Sequence, residues 1–255
     1  MERKIKVGIT EQGDASVDYS WKEGLSNVDG AVLITKNVTN RFIQEVLSYK
    51  DWVIVHATIT GYGGTVVEPN SPTVADSFSQ VCALVDKGFP AEKIVIRVDP
   101  IIPTPKGILT AYNVIAQFME VGFSRFKVSI LDMYPHVRER FKSKNLPLPY
   151  GDNFSPNKKQ IVEVNKLIKM LKGYWIALGN KFGNLRIESC AEGSLTESII
   201  TGCISSYDLK LLELPDENDS VGYQRKGCLC FSGKTELLNG KHRCPYKCLY
   251  CYWRD

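Results

Sequence analysis

Short apolar runs rich in β-branched residues alternate along the chain with stretches whose apolar positions recur every three or four residues. The runs at residues 4–10, 31–35, 52–58, 93–98, 125–131 and 185–189 predict strands. The helical spacing predicts helices over residues 41–49, with Asn40 as N-cap, over 73–87, stopped by Gly88, and over 109–121, stopped by Gly122. The longest predicted helix covers residues 157–178 behind Ser155-Pro156, and a short one covers residues 195–201. Strand–helix alternation implies a parallel sheet with right-handed crossovers. Six such strands suit an open (β/α)6 barrel as well as a doubly wound sheet. After Cys203 the regular pattern gives way to a Gly-, Lys- and Cys-rich tail, expected to be irregular and held by metal. Residues 1–203 therefore read as the barrel, and residues 204–255 as a tail completing the same domain.

Length and composition fit this picture. The 255 residues are 44% hydrophobic, enough for one large α/β core. There is no linker-like run and no internal repeat. The charged start does not read as a signal peptide, and no apolar stretch is long enough to span a bilayer, so a cytoplasmic protein without a membrane partner is expected. A net charge of +4 permits nucleic acid as a partner without arguing for it. Eight cysteines without a secretory signal point to metal or redox chemistry rather than a disulfide framework. Cys82 falls on an apolar helical face with Val74, Phe78, Val81 and Val85, and reads as core.

Sites in parallel α/β folds gather beyond the C-terminal strand ends. The chemistry-bearing residues expected there are Glu11 and Asp14, Lys36, Thr58 and Thr60, Glu68, Arg97 and Asp99, Asp132 and Tyr134, and Glu188, Cys190 and Glu192. Gly61, Gly63 and Gly64 are no dinucleotide fingerprint, because the spacing before a helix is wrong. Tyr62, Tyr134, Tyr252 and Trp253 are candidates for stacking on a base or for radical transfer, although such aromatics are also common lining residues. The basic run Arg138, Arg140, Lys142, Lys144 could meet phosphates or form a solvated face.

The sharpest feature is the stretch from His242 to Arg254, in which Cys244, Cys248 and Cys251 stand at C-x3-C-x2-C spacing. Three thiolates from one loop can hold three irons of a [4Fe–4S] cubane and leave the fourth open. A structural zinc needs a closed set of four ligands, which this loop alone does not supply. Cys190, Cys203, Cys228 and Cys230 make a separate four-thiolate set, able to hold a second [4Fe–4S] cluster or a zinc ion.

With an aromatic residue before its last cysteine, the loop resembles the cluster loop of radical S-adenosylmethionine (SAM) enzymes. Leu33-Ile34-Thr35-Lys36-Asn37, Thr58-Ile59-Thr60, Val67-Glu68-Pro69-Asn70-Ser71-Pro72 and Arg97-Val98-Asp99-Pro100-Ile101-Ile102-Pro103 resemble, in order, the motifs of spore photoproduct lyase and related DNA repair photolyase-like proteins. The chain is closer still to an uncharacterised bacterial and phage family, a domain of unknown function with a Cys-rich tail. The departure from the lyases is the C-terminal position of the loop, as if a partial (β/α)6 TIM-like barrel were circularly permuted.

The resemblance implies that SAM chelates the open iron, that one electron from a flavodoxin or ferredoxin cleaves it, and that a 5′-deoxyadenosyl radical attacks a substrate, with a nucleic-acid base as the best guess. It assigns Lys36 to the SAM carboxylate and Thr58, Thr60 and Glu68 to the SAM pocket; Arg97 and Asp99 sit one strand on, where an Arg could contact the SAM carboxylate or ribose. The competing expectation is a non-catalytic module stabilised by zinc or iron–sulfur and used for binding.

Overall fold

In the computed structural model, residues 4–179, 183–190, 192–216, 228–240 and 244–252 are described. Eight strands are found among them: β1 (Val7–Ile9), β2 (Gly30–Thr35), β3 (Val53–Thr58), β4 (Ile94–Ile101), β5 (Arg125–Ile130), β6 (Arg186–Cys190), β7 (Ile199–Thr201) and β8 (Lys234–Glu236). The helices are α1 (Trp21–Gly24), α2 (Asn40–Leu47), α3 (Val74–Asp86), α4 (Pro105–Glu120), α5 (Pro135–Ser143), α6 (Lys158–Ala177) and α7 (Ser206–Leu211).

All seven pairings are parallel, and the strand order is β7-β6-β5-β4-β3-β2-β1-β8. From β1 to β7 each strand lies beside its predecessor, so the order never reverses as it does in a doubly wound sheet. The sheet is a curled half-barrel of the TIM-like α/β kind. Leu33, Val55, Ile96 and Phe126 join a core with Phe42, Leu84, Phe118 and Leu167 from α2, α3, α4 and α6. Val7, Ile9, Val32, Ile54 and Val95 join a second core with Ile204, Leu209, Leu212 and Phe231, from the segment after β7 and from the tail. Strand alternation therefore gives the sheet two buried faces, as parallel sheets require.

Sequence signals set the helix starts. Thr39, not Asn40, caps α2, its hydroxyl accepting from the Phe42 N–H at 3.1 Å. Thr73 with Asp76 and Asn157 with Gln160 form capping boxes on α3 and α6. Cys82 is half-buried against the helical core, as expected.

Three further expectations are corrected. The predicted helix over residues 195–201 is a turn followed by β7; its Ile199 and Ile200 are exposed on an edge strand. The strands number eight, not six, among the described residues. The tail is not wholly irregular: α7 has its own capping box (Ser205 with Asp208), and β8 pairs with β1.

Candidate functional site

Beyond the C-terminal strand ends lies a cavity of about 810 Å³, within the range of small-molecule sites. The ends of six strands contribute: Glu11 after β1, Lys36 after β2, Thr58 on β3, Asp99 on β4, Ser129 on β5 and Cys190 on β6. All seven cysteines of the two groups singled out in the sequence line it, so the tail does fold back over the mouth.

The loop carrying Cys244, Cys248 and Cys251 is docked at several points. The Leu249 N–H donates to the Val67 carbonyl at 2.9 Å, and Asn70 Nδ2 donates to the Pro245 carbonyl at 2.6 Å. Arg140 Nη1 on α5 donates to the carbonyls of Cys251 (2.6 Å) and Leu249 (3.3 Å). Cys248 is buried beside Ser71, with Oγ and Sγ 3.9 Å apart, whereas Cys244 is exposed. Burial raises the Cys248 thiol, and the charge of Lys36 opposes the rise.

Lys36 lines the cavity, but its ammonium is already engaged. It donates to Glu68 Oε1 at 2.9 Å and to Tyr250 Oη at 2.6 Å. Thr60 Oγ1 also donates to Glu68 Oε1, at 2.6 Å, and Tyr250 donates to the same oxygen. Burial would raise the Glu68 carboxyl, yet Lys36, then Thr60 and Tyr250, hold it below the usual carboxylate range. Thr60 and Glu68 do not line the cavity; they stand behind Lys36 and the aromatic of the cysteine loop. Tyr62 does not line the cavity either. Gly61, at φ +89°, turns the chain away from the mouth, and Tyr62 packs against the core at the start of α4.

Arg97 and Asp99 form the ion pair anticipated as one reading of them, and Ser129 donates to Asp99. Arg97 is buried and lines the cavity, and its Nε and Nη1 have no partner among the described residues. Glu188 lies deeper than expected. It is fully buried, held by Arg125 in a bidentate contact (3.1 and 3.2 Å) and by Lys127 at 3.5 Å.

Three thiols of the second group meet. Cys190 Sγ is 3.5 Å from Cys203 Sγ, and the Cys203 N–H donates to Cys230 Sγ at 3.1 Å. Hydrogen bonds from Cys190 and Cys203 pull the Cys230 thiol below its ordinary range. Cys228 is buried and lines the same cavity. Glu11 Oε1 accepts from Cys203 Sγ at 3.2 Å, and Lys234 pairs with Glu11. Among the described residues, no three His, Cys, Asp or Glu side chains converge on one point as the ligands of a single bound ion do.

At the rim, Tyr134 and Tyr252 lie with ring centroids 6.0 Å apart, and Phe154 packs edge-on to Tyr134 at 4.9 Å. Trp253, His242 and Arg254 lie outside the described residues. The basic run is largely spoken for: Arg138 holds the carbonyls of Asp152 and Asn153, Arg140 holds the cysteine loop, and Lys142 pairs with Glu139. Lys127 and Lys234 carry no site role in the sequence reading, and Arg140 enters it as a phosphate contact, not as an anchor of the cysteine loop. The signal for Lys127 was available, because it alternates with Phe126 and Val128 and must face inward.

A family model described as "Domain of unknown function (DUF1848)" matches residues 15–253. The chain belongs to this DUF1848 family. No curated protein matches, and no solved structure matches. The likeness to photolyase-like radical SAM proteins therefore rests on the motifs alone. No described helix is long and apolar enough to cross a membrane.

Proposed function

We propose that this DUF1848 protein is a radical SAM enzyme whose cluster loop is Cys244/Cys248/Cys251. One observation carries the reading. All three thiols of a C-x3-C-x2-C loop line a cavity of about 810 Å³ at the C-terminal ends of a parallel half-barrel. The donor set fits a [4Fe–4S] cluster with an open iron: thiolates of a cubane each bind a separate iron, so they ring a volume instead of converging on a point. When bound, such a cluster would chelate SAM and pass it the electron that cleaves it, with a flavodoxin or ferredoxin as donor.

The chain's own residues bind and orient. Arg140, Asn70 and the Val67 carbonyl fix the loop. Arg97 offers unpartnered donors from the cavity wall to a carboxylate or a ribose hydroxyl. Lys36 neutralises Glu68 and faces the same cavity, where a SAM carboxylate would compete for its ammonium. Thr58 and Asp99 add polar contacts at the wall. The Tyr134, Tyr252 and Phe154 rim offers faces for a planar ring, which favours a nucleic-acid base as substrate.

The test is an anaerobic assay for 5′-deoxyadenosine with SAM and a strong reductant. Production by the reconstituted chain, abolished in Cys244→Ala, Cys248→Ala and Cys251→Ala, is expected. Full production in any one of the three variants contradicts the reading.

A further inference from the structure

Cys190 ends β6, Cys203 follows β7, and Cys228 and Cys230 precede β8. In the sheet order β7 and β8 are the two outermost strands, so these cysteines gather where the half-barrel is open. We propose that Cys190, Cys203, Cys230 and Cys228 form a second, thiolate-bound metal centre that clips the two edges of the half-barrel together, separate from the SAM loop.

The backbone already makes this approach. The Phe231 N–H donates to the Ile204 carbonyl at 3.2 Å, and the Cys203 N–H reaches Cys230 Sγ at 3.1 Å. A Cβ on Gly202 would stand 2.4 Å from Cys230 Cα, so only glycine lets the two segments come so close. The Cys190–Cys203 separation of 3.5 Å is near the edge of a tetrahedral thiolate site, about 3.8 Å for bonds of about 2.3 Å. The four sulfurs do not yet converge, and rotation about Cα–Cβ of these side chains is what metal binding requires.

Buried cations face this group, alongside the Glu11 carboxylate 3.2 Å from Cys203 Sγ, which Lys234 pairs with. Lys127 Nζ, fully buried, donates to the carbonyls of Gly202 (2.8 Å) and Cys203 (3.3 Å). Lys234 interacts electrostatically with Cys203 and Cys230. The charge of Arg97 also acts on Cys203 and Cys190. Both zinc and an iron–sulfur cluster suit four thiolates, and both would supply folding free energy to the tail.

The experiment removes the SAM loop and counts what stays. The chain carrying Cys244→Ala, Cys248→Ala and Cys251→Ala together is purified anaerobically, and iron, zinc and acid-labile sulfide are measured per chain. One retained centre is expected, as about one zinc or as iron with matching sulfide. Adding Cys203→Ser and Cys230→Ser should abolish it. A folded triple variant without metal overturns the proposal, and so does metal that survives the added substitutions. Should the triple variant not fold, Cys203→Ser with Cys230→Ser in the otherwise native chain decides. Loss of one centre with the SAM loop's iron kept supports the proposal, and an unchanged metal count overturns it. Failure of the SAM reading would look different: no deoxyadenosine from the native chain, with the second centre still loaded.

Discussion

Lys36 is the residue with most depending on it, because it serves Glu68 and Tyr250 at once. Removing one partner of a buried pair leaves the other charge uncompensated, at a cost of about 3 kcal/mol. Lys36→Ala should therefore lower stability as well as SAM affinity, a larger structural role than a residue after a strand implies. In the native chain Glu68 sits below the usual carboxylate range, so its contribution is present at neutral pH and fades as the pH falls through its folded pKa. In Lys36→Ala, burial dominates Glu68 instead. The variant's deficit in urea unfolding should be large at pH 8 and smaller at pH 5, where Glu68 takes up a proton. An equal deficit at both values would remove Glu68 from the explanation.

Glu236 carries the opposite sign. Burial raises its carboxyl to about 7, against three backbone N–H donors from Glu11, Gln12 and Leu238. A raised acid binds its proton more tightly folded than unfolded, so stability falls as pH rises from about 4.5 to about 7. Comparing Glu236→Gln with the native chain at pH 5 and pH 8 checks this: the native chain should lose more stability over the interval. A variant with the same pH dependence excludes Glu236 as its source.

At the scale of elements, β2 to β4 were legible because each is a β-branched run buried on both faces, and α3, α4 and α6 because their apolar spacing comes with caps. β8 was not legible. Lys234-Thr235-Glu236 holds no apolar residue, and only pairing with β1 makes it a strand. β7 is three residues long and its isoleucines are exposed, so local pattern favoured a helix there. In α5 just Val137 and Phe141 are buried among charged residues, which disguised a helix as a basic patch. That helix matters through Arg140. Arg140→Gln should release the carbonyls of Leu249 and Cys251 and raise amide hydrogen exchange across residues 244–252 by about ten- to a hundred-fold, following the usual value of a charged hydrogen bond. Unchanged protection would mean that the loop is held without it. Gly202→Ala should cost about 1–3 kcal/mol by forcing a methyl group against the Cys230 backbone, read as a lower urea midpoint. An unchanged midpoint would contradict the close approach of the two segments.

For the whole molecule, sequence gave the fold class and the seven cysteines, while their convergence on one cavity is a tertiary fact. Cys190 and Cys251 are 61 residues apart in sequence and line the same wall system only because the tail crosses the mouth of the half-barrel. The network of Lys36, Glu68 and Tyr250 was equally hidden, since no local pattern links residues that distant. The most direct measurement is electron paramagnetic resonance of the anaerobically reconstituted, reduced chain with and without SAM. A radical SAM enzyme with an open iron in the Cys244/Cys248/Cys251 loop should give a reduced-cluster signal that changes when SAM is added, and this SAM-sensitive signal should be missing from Cys248→Ala. An iron-loaded native chain whose spectrum is indifferent to SAM, or a SAM response that persists in Cys248→Ala, would contradict the account.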